Sequence, residues 1–93
     1  IIGTPARETL AGASGDDTIS GLAGDDSLSG GSGADLLEGG DGNDTVLGGL
    51  ADDTLLGGDG NDRLFGEAGA NSILGGNGHD YIQVAAGANT VMG

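Results

Sequence analysis

Gly39-Gly40-Asp41-Gly42-Asn43-Asp44-Thr45-Val46-Leu47 holds the pattern on which the whole chain is built. Its first six residues are Gly, Asp and Asn, which tolerate positive φ and tight turns. Its last three suit a short strand. Side chains alternate across a strand, so Val46 faces one side and Thr45 and Leu47 the other. From Gly12, nine such nine-residue units run to Met92 without an insertion or deletion. Gly57 to Phe65 and Gly75 to Gln83 are close copies, and a degenerate copy, Gly3 to Ala11, precedes the first.

Two columns hold their phase through these units. Position eight is always aliphatic: Leu10, Ile19, Leu28, Leu37, Val46, Leu55, Leu64, Ile73, Ile82 and Val91. Position six is Asp17, Asp26, Asp35, Asp44, Asp53, Asp62 and Asp80, with Glu8, Asn71 and Asn89 as exceptions. Low-complexity sequence does not keep two columns in register over so many copies. The consensus, G-G-x-G-x-D-x-U-x with U aliphatic, resembles the RTX (repeats-in-toxin, hemolysin-type) calcium-binding nonapeptide family, and the resemblance covers essentially the whole chain.

If one unit makes half a coil, two make a turn of 18 residues, and like units stack at the strand spacing of about 4.8 Å. The expectation is an all-β solenoid of tandem nonapeptides with two short-stranded parallel sheets. The resemblance implies that it is a right-handed parallel β-roll. Residues 1–11 are read as a degenerate N-terminal capping repeat, 12–83 as the regular roll and 84–93 as a degenerate C-terminal repeat. Its core is thin: one aliphatic per nine residues contributes about 1.5–3 kcal/mol when buried. Ordering the backbone costs about 1–2 kcal/mol for every residue. Some other source of stability is needed.

Composition narrows that source. The 93 residues carry 15 acidic and two basic side chains, a net charge of −13, with 23 Gly, no Cys and no Trp. Disulfides are excluded, and a small chain with a thin core needs a staple. A divalent cation would offset the charge and supply order together. Nucleic acid and anionic membrane surfaces would be repelled. No apolar run approaches the roughly 20 residues of a spanning helix, and the opening residues are not expected to act as a signal peptide.

Stacking sets the position-six residues in two files, Asp26, Asp44, Asp62 and Asp80 on one edge and Asp17, Asp35 and Asp53 on the other. Ca²⁺ takes six to eight hard oxygen ligands, so these seven side chains are the expected metal ligands, shared between successive turns, for about five ions or more. The family resemblance implies that loop carbonyls complete each site. On the first edge these would come from Leu22, Gly24, Gly39, Gly40, Asp41, Gly42, Gly57, Gly58, Asp59, Gly60, Gly75 and Asn77. On the second they would come from Ala13, Gly15, Gly30, Gly31, Ser32, Gly33, Gly48 and Leu50. Between Asn71 and Asn89 no position-six charge remains, and the expectation there is that stacked amides bond each other without metal. Leu22, Glu67, Ala13 and Ala51 replace loop glycines and put local turn geometry in question. An EF-hand is ruled out, because no acidic loop has Gly sixth and Glu twelfth.

Other features read plainly. His79 occupies a variable loop position and has no second His with which to build a zinc site. No acidic pair stands apart as acid and base, so the chain is expected not to be an enzyme. Position nine turns apolar after the third unit, and Leu56, Leu74 and Met92 on one sheet, or Leu47 and Phe65 on the other, are candidates to pack on a neighbouring domain or another copy. The resemblance implies a module of a secreted bacterial protein, exported by a type I system and folding on Ca²⁺ outside the cell. The alternatives are a calcium-stiffened spacer of an adhesin or an accessory module of a secreted enzyme. The chain stops at Gly93, the first residue of another unit, and reads as a fragment.

Overall fold

The computed structural model describes residues 1–85 and 87–93; Ala86, in the degenerate C-terminal repeat, lies outside them. Ten strands follow one another: β1 Thr9–Ala11, β2 Thr18–Ser20, β3 Ser27–Gly31, β4 Leu36–Glu38, β5 Thr45–Gly49, β6 Thr54–Leu56, β7 Arg63–Glu67, β8 Ser72–Leu74, β9 Tyr81–Val84 and β10 Thr90–Met92. Odd strands form one sheet in the order β1-β3-β5-β7-β9, and even strands form the other, β10-β8-β6-β4-β2. All pairing is parallel, with partners 18 residues apart, as in Leu28↔Val46 and Leu55↔Ile73, everywhere but at Glu67↔Val84. This is the β-solenoid expected from the repeat, with about five turns.

The core is the position-eight column. Ile19, Leu28, Leu37, Val46, Leu55 and Leu64 are fully buried and Ile73 nearly so, with Leu10 and Ile82 packed against them at the ends. Two sheets meeting through a single file of aliphatics make a flat body of 32 × 27 × 12 Å. The outward position-nine column is partly covered at Leu47, Leu56 and Phe65 and exposed at Leu74 and Met92.

Three details depart from the simple repeat. Odd strands β3, β5 and β7 run five residues, through the first two glycine positions of the next unit, whereas β2, β4, β6 and β8 stop at three. At the N-terminus Ile1 and Ile2 add a further half-turn. Ile2 bridges Ser20 in parallel, the Ser20 N–H donates to the Ile1 carbonyl, and the Ile1 ammonium donates to the Thr18 carbonyl. At the C-terminus the register slips between Phe65 and Glu67, which stands opposite Val84. Position one is glycine in the preceding units because it has no room for more: a Cβ on Gly66 would lie 2.8 Å from Asn71 Nδ2 and 3.0 Å from Ile73 Cδ1. Val84 at that position cannot sit inside; it turns outward, and Val91 beyond it is 45% exposed.

Loop geometry holds where glycine is missing. Ala13, Leu22, Ala51 and Glu67 keep φ of 71°, 69°, 72° and 61°. A left-handed conformation costs an L-residue about 1–2 kcal/mol, against about 0.5–1 kcal/mol of extra chain entropy for glycine. Leu22 is 42% exposed and contributes little packing. Leu22→Gly is therefore expected to raise the melting temperature of the folded chain by a few degrees, as read by thermal circular dichroism.

Candidate metal centre

Each loop delivers its position-six side chain inward, beneath the strand that follows. Asp26, Asp35, Asp44, Asp53, Asp62 and Asn71 are at most 3% exposed, a burial that carboxylates tolerate only with partners. One oxygen of each has one. Asp26 Oδ1 accepts the Glu8 N–H, Asp44 Oδ1 that of Asp26, Asp62 Oδ1 that of Asp44 and Asp80 Oδ1 that of Asp62, all at 2.8–2.9 Å. The other edge repeats this: Asp35 accepts from Asp17, Asp53 from Asp35, Asn71 from Asp53 and Asn89 from Asn71. The files lie on the two edges that the sequence indicates.

The second oxygen is stranded. Oδ2 of Asp17, Asp26, Asp35, Asp44, Asp53, Asp62 and Asp80 is buried and has no hydrogen-bond partner among the described residues. It points back over the first glycine of its own loop, where an added Cβ would lie 2.5–2.7 Å from it in the Gly12, Gly21, Gly30, Gly39, Gly48, Gly57 and Gly75 loops. No protein cation compensates: the one ion pair among the described residues joins Arg7 to Asp25 at 3.7 Å on the surface. Burial raises the Asp44 and Asp62 carboxyls to about 6, with neighbouring carboxylates adding to the rise. Asp26 and Asp53 are pushed upward for the same first reason.

Asn71 shows what surrounds the stranded atom. Its Nδ2, in the place of Oδ2, donates to the carbonyls of Gly66 at 2.8 Å, Ala68 at 3.2 Å and Glu67 at 3.4 Å. In an Asp loop a carboxylate oxygen stands at that position, an arrangement that repels unless something positive enters. Among the described residues no three His, Cys, Asp or Glu side chains converge, so backbone carbonyls must supply most of any donor set. An all-oxygen set of carboxylates and carbonyls fits a hard cation such as Ca²⁺. Several carbonyls already have one partner: those of Ala13, Leu22 and Gly31 accept N–H groups from Ser32, Asp41 and Leu50, and those of Asp59 and Asn77 accept from Gly42 and Gly60. A carbonyl has two lone pairs, so each retains capacity.

Asn71 and Asn89 do not bond each other through their amides. Asn89 Oδ1 takes the Asn71 backbone N–H, and each Nδ2 turns to its own loop, that of Asn89 to the Ala85 carbonyl at 2.9 Å. The expected amide-to-amide stack is replaced by two separate backbone-satisfied amides, because the side chain is short enough to reach its own loop.

Position five carries a role that the nine-residue frame hides. Asp25 Oδ1 accepts the Asn43 N–H, Asn43 Oδ1 that of Asn61, and Asn61 Oδ1 that of His79, each at 2.8–2.9 Å. On the other edge, among the described residues, only Asp16 and Asp52 act so, toward Ala34 and Ala70. Spacing by 18 would have shown an unbroken run of Asp and Asn on one edge only. His79 ends that ladder with its side chain in solvent.

The RTX calcium-binding nonapeptide repeat matches in four copies, over residues 2–37, 23–55, 38–73 and 56–91. The chain belongs to this family, whose repeats form calcium-binding modules. No curated protein matches it.

Proposed function

We propose that this chain is a calcium-dependent folding module of a secreted bacterial protein. The observation that carries the reading is the set of seven buried carboxylate oxygens without a partner. Each is a half-built cation site, and without the cation each opposes the fold. Asp17, Asp26, Asp35, Asp44, Asp53, Asp62 and Asp80 serve as ligands with carbonyls of their loops, for about five ions or more. Five Ca²⁺ bring the formal charge from −13 to −3. Asp44 and Asp62 share the geometry of the other members of their file, which supports a ligand role over a catalytic one, and the module is not an enzyme.

A ligand that binds only the folded state drives folding by mass action. Weak sites suited to millimolar extracellular Ca²⁺ leave the chain unfolded in a calcium-poor cytosol and fold it after export by a type I system. Far-UV circular dichroism during a Ca²⁺ titration tests this. A cooperative coil-to-β transition, reversed by chelator, is expected. A chain already folded in excess chelator would overturn the switch and leave a passive spacer.

A further inference from the structure

We propose that the Asn71 amide is a built-in substitute for the ion, so that the loop of residues 66–71 is complete without calcium while the Asp loops are not. This rests on reading the Asp loops as calcium sites. Asn71 is 2% exposed, and none of its side-chain atoms is stranded. Oδ1 accepts the Asp53 N–H at 2.8 Å, as an Asp would. Nδ2 spends its hydrogens on the carbonyls of Gly66, Glu67 and Ala68, the first three positions of its own loop. A cation entering here would meet amide hydrogens in place of a carboxylate oxygen, and would have to displace that amide from the carbonyls of its loop.

The one-atom difference between Asp and Asn thus decides which loops take metal. The file of Asp26, Asp44, Asp62 and Asp80 is charged throughout. The file of Asp17, Asp35 and Asp53 ends in a loop that satisfies itself. Asn89 does the same more weakly, through one carbonyl at 2.9 Å in the degenerate last unit.

Asn71→Asp and Asp62→Asn, made separately in the full chain, test this by native mass spectrometry of the calcium-saturated protein together with circular dichroism in chelator. Asn71→Asp is expected to bind one more ion than the parent. Asp62→Asn is expected to bind fewer ions, to keep the fold in calcium, and to show more residual β signal in chelator. Unchanged ion counts in both variants would overturn the proposal. Should Asn71→Asp fail to fold, Asp62→Asn alone decides: fewer ions with more β signal in chelator supports the substitution, and fewer ions without that gain, or no change in count, sinks it. If the parent itself takes up no calcium, the underlying reading fails instead, and the two failures are distinct.

Discussion

Gly40→Ala is expected to raise the calcium concentration needed for folding severalfold, whereas Gly15→Ala is expected to raise it only modestly. Both glycines have φ near 90°, 89° and 91°, so both variants bear the left-handed cost of about 1–2 kcal/mol. They differ in what lies beneath. A Cβ on Gly40 would overlap the Leu22 carbonyl oxygen and stand 2.9 Å from its carbon; at Gly15 nothing lies within 4 Å. The Leu22 carbonyl is held in place by the Asp41 N–H at 2.9 Å, so relief takes a fall in φ like that to 61° at Glu67, the same loop position on the other edge, or a partial separation of the two coils. Separation breaks that bond and disturbs the neighbouring Asp26 and Asp44 loops at once. A small domain has only about 5–15 kcal/mol in total, and losing one coil contact splits the column in two. Circular dichroism across a calcium titration should show a strongly raised midpoint for Gly40→Ala and a modestly raised one for Gly15→Ala. Equal behaviour of the two variants would mean that coil spacing is not fixed by the glycine column.

Acid is expected to do part of the work of calcium. Without metal, burial first, then the hydrogen bond from Asp26 in opposition and the charges of Asp62, Asp26 and Asp25, set the Asp44 carboxyl at about 6. Asp62, beside Asp80 and Asp59, is likewise near 6, above the ordinary value of 3.8. A folded-state value above the unfolded one means that the folded chain holds protons which the unfolded chain releases. The resulting stability is fully present below about pH 4 and is lost as pH rises through about 6. In chelator, the β signal should therefore grow as pH falls from 7 toward 4.5. In calcium the sign reverses, because protons compete for the same oxygens, and the calcium midpoint should rise below about pH 6. Asp44→Asn with Asp62→Asn should flatten both responses. An unchanged pH profile in that double variant would assign the effect to the general loss of charge repulsion near the isoelectric point of about 4.1.

The sequence is unusually informative about this fold, for a physical reason. A solenoid repeats one environment, so ten copies of position eight report the same burial and ten copies of position six report the same loop. The two sheets, the core column and the edge assignment of each Asp all follow from that averaging. What escaped it was singular or had a different period. Ile1 and Ile2 precede the first complete unit, and only the backbone bonds to Thr18 and Ser20 show that they form a half-turn. Position five looks variable in nines because its ladder belongs to one edge, and edges alternate. The slip at Val84 reflects how little space the first loop position has, as at Gly66, which a string of letters does not carry. The direction of the Asn71 amide is of the same kind: composition marks the missing charge, while geometry shows where the donor goes.

The register of 18 residues also governs how the molecule would respond to tension. The ladder bonds of Asp26, Asp44 and Asp62 each tie a coil to the coil one turn away. The body is thus a stack with nearest-neighbour ties, as in other repeat proteins. Pulled by its two ends, such a stack has no long-range clamp to break first. It would unwind coil by coil, each step freeing 18 residues, about 60 Å of extended chain. An ion held between two turns is then a rivet at one step, and the Asn71 loop is a step whose resistance does not depend on the calcium around it.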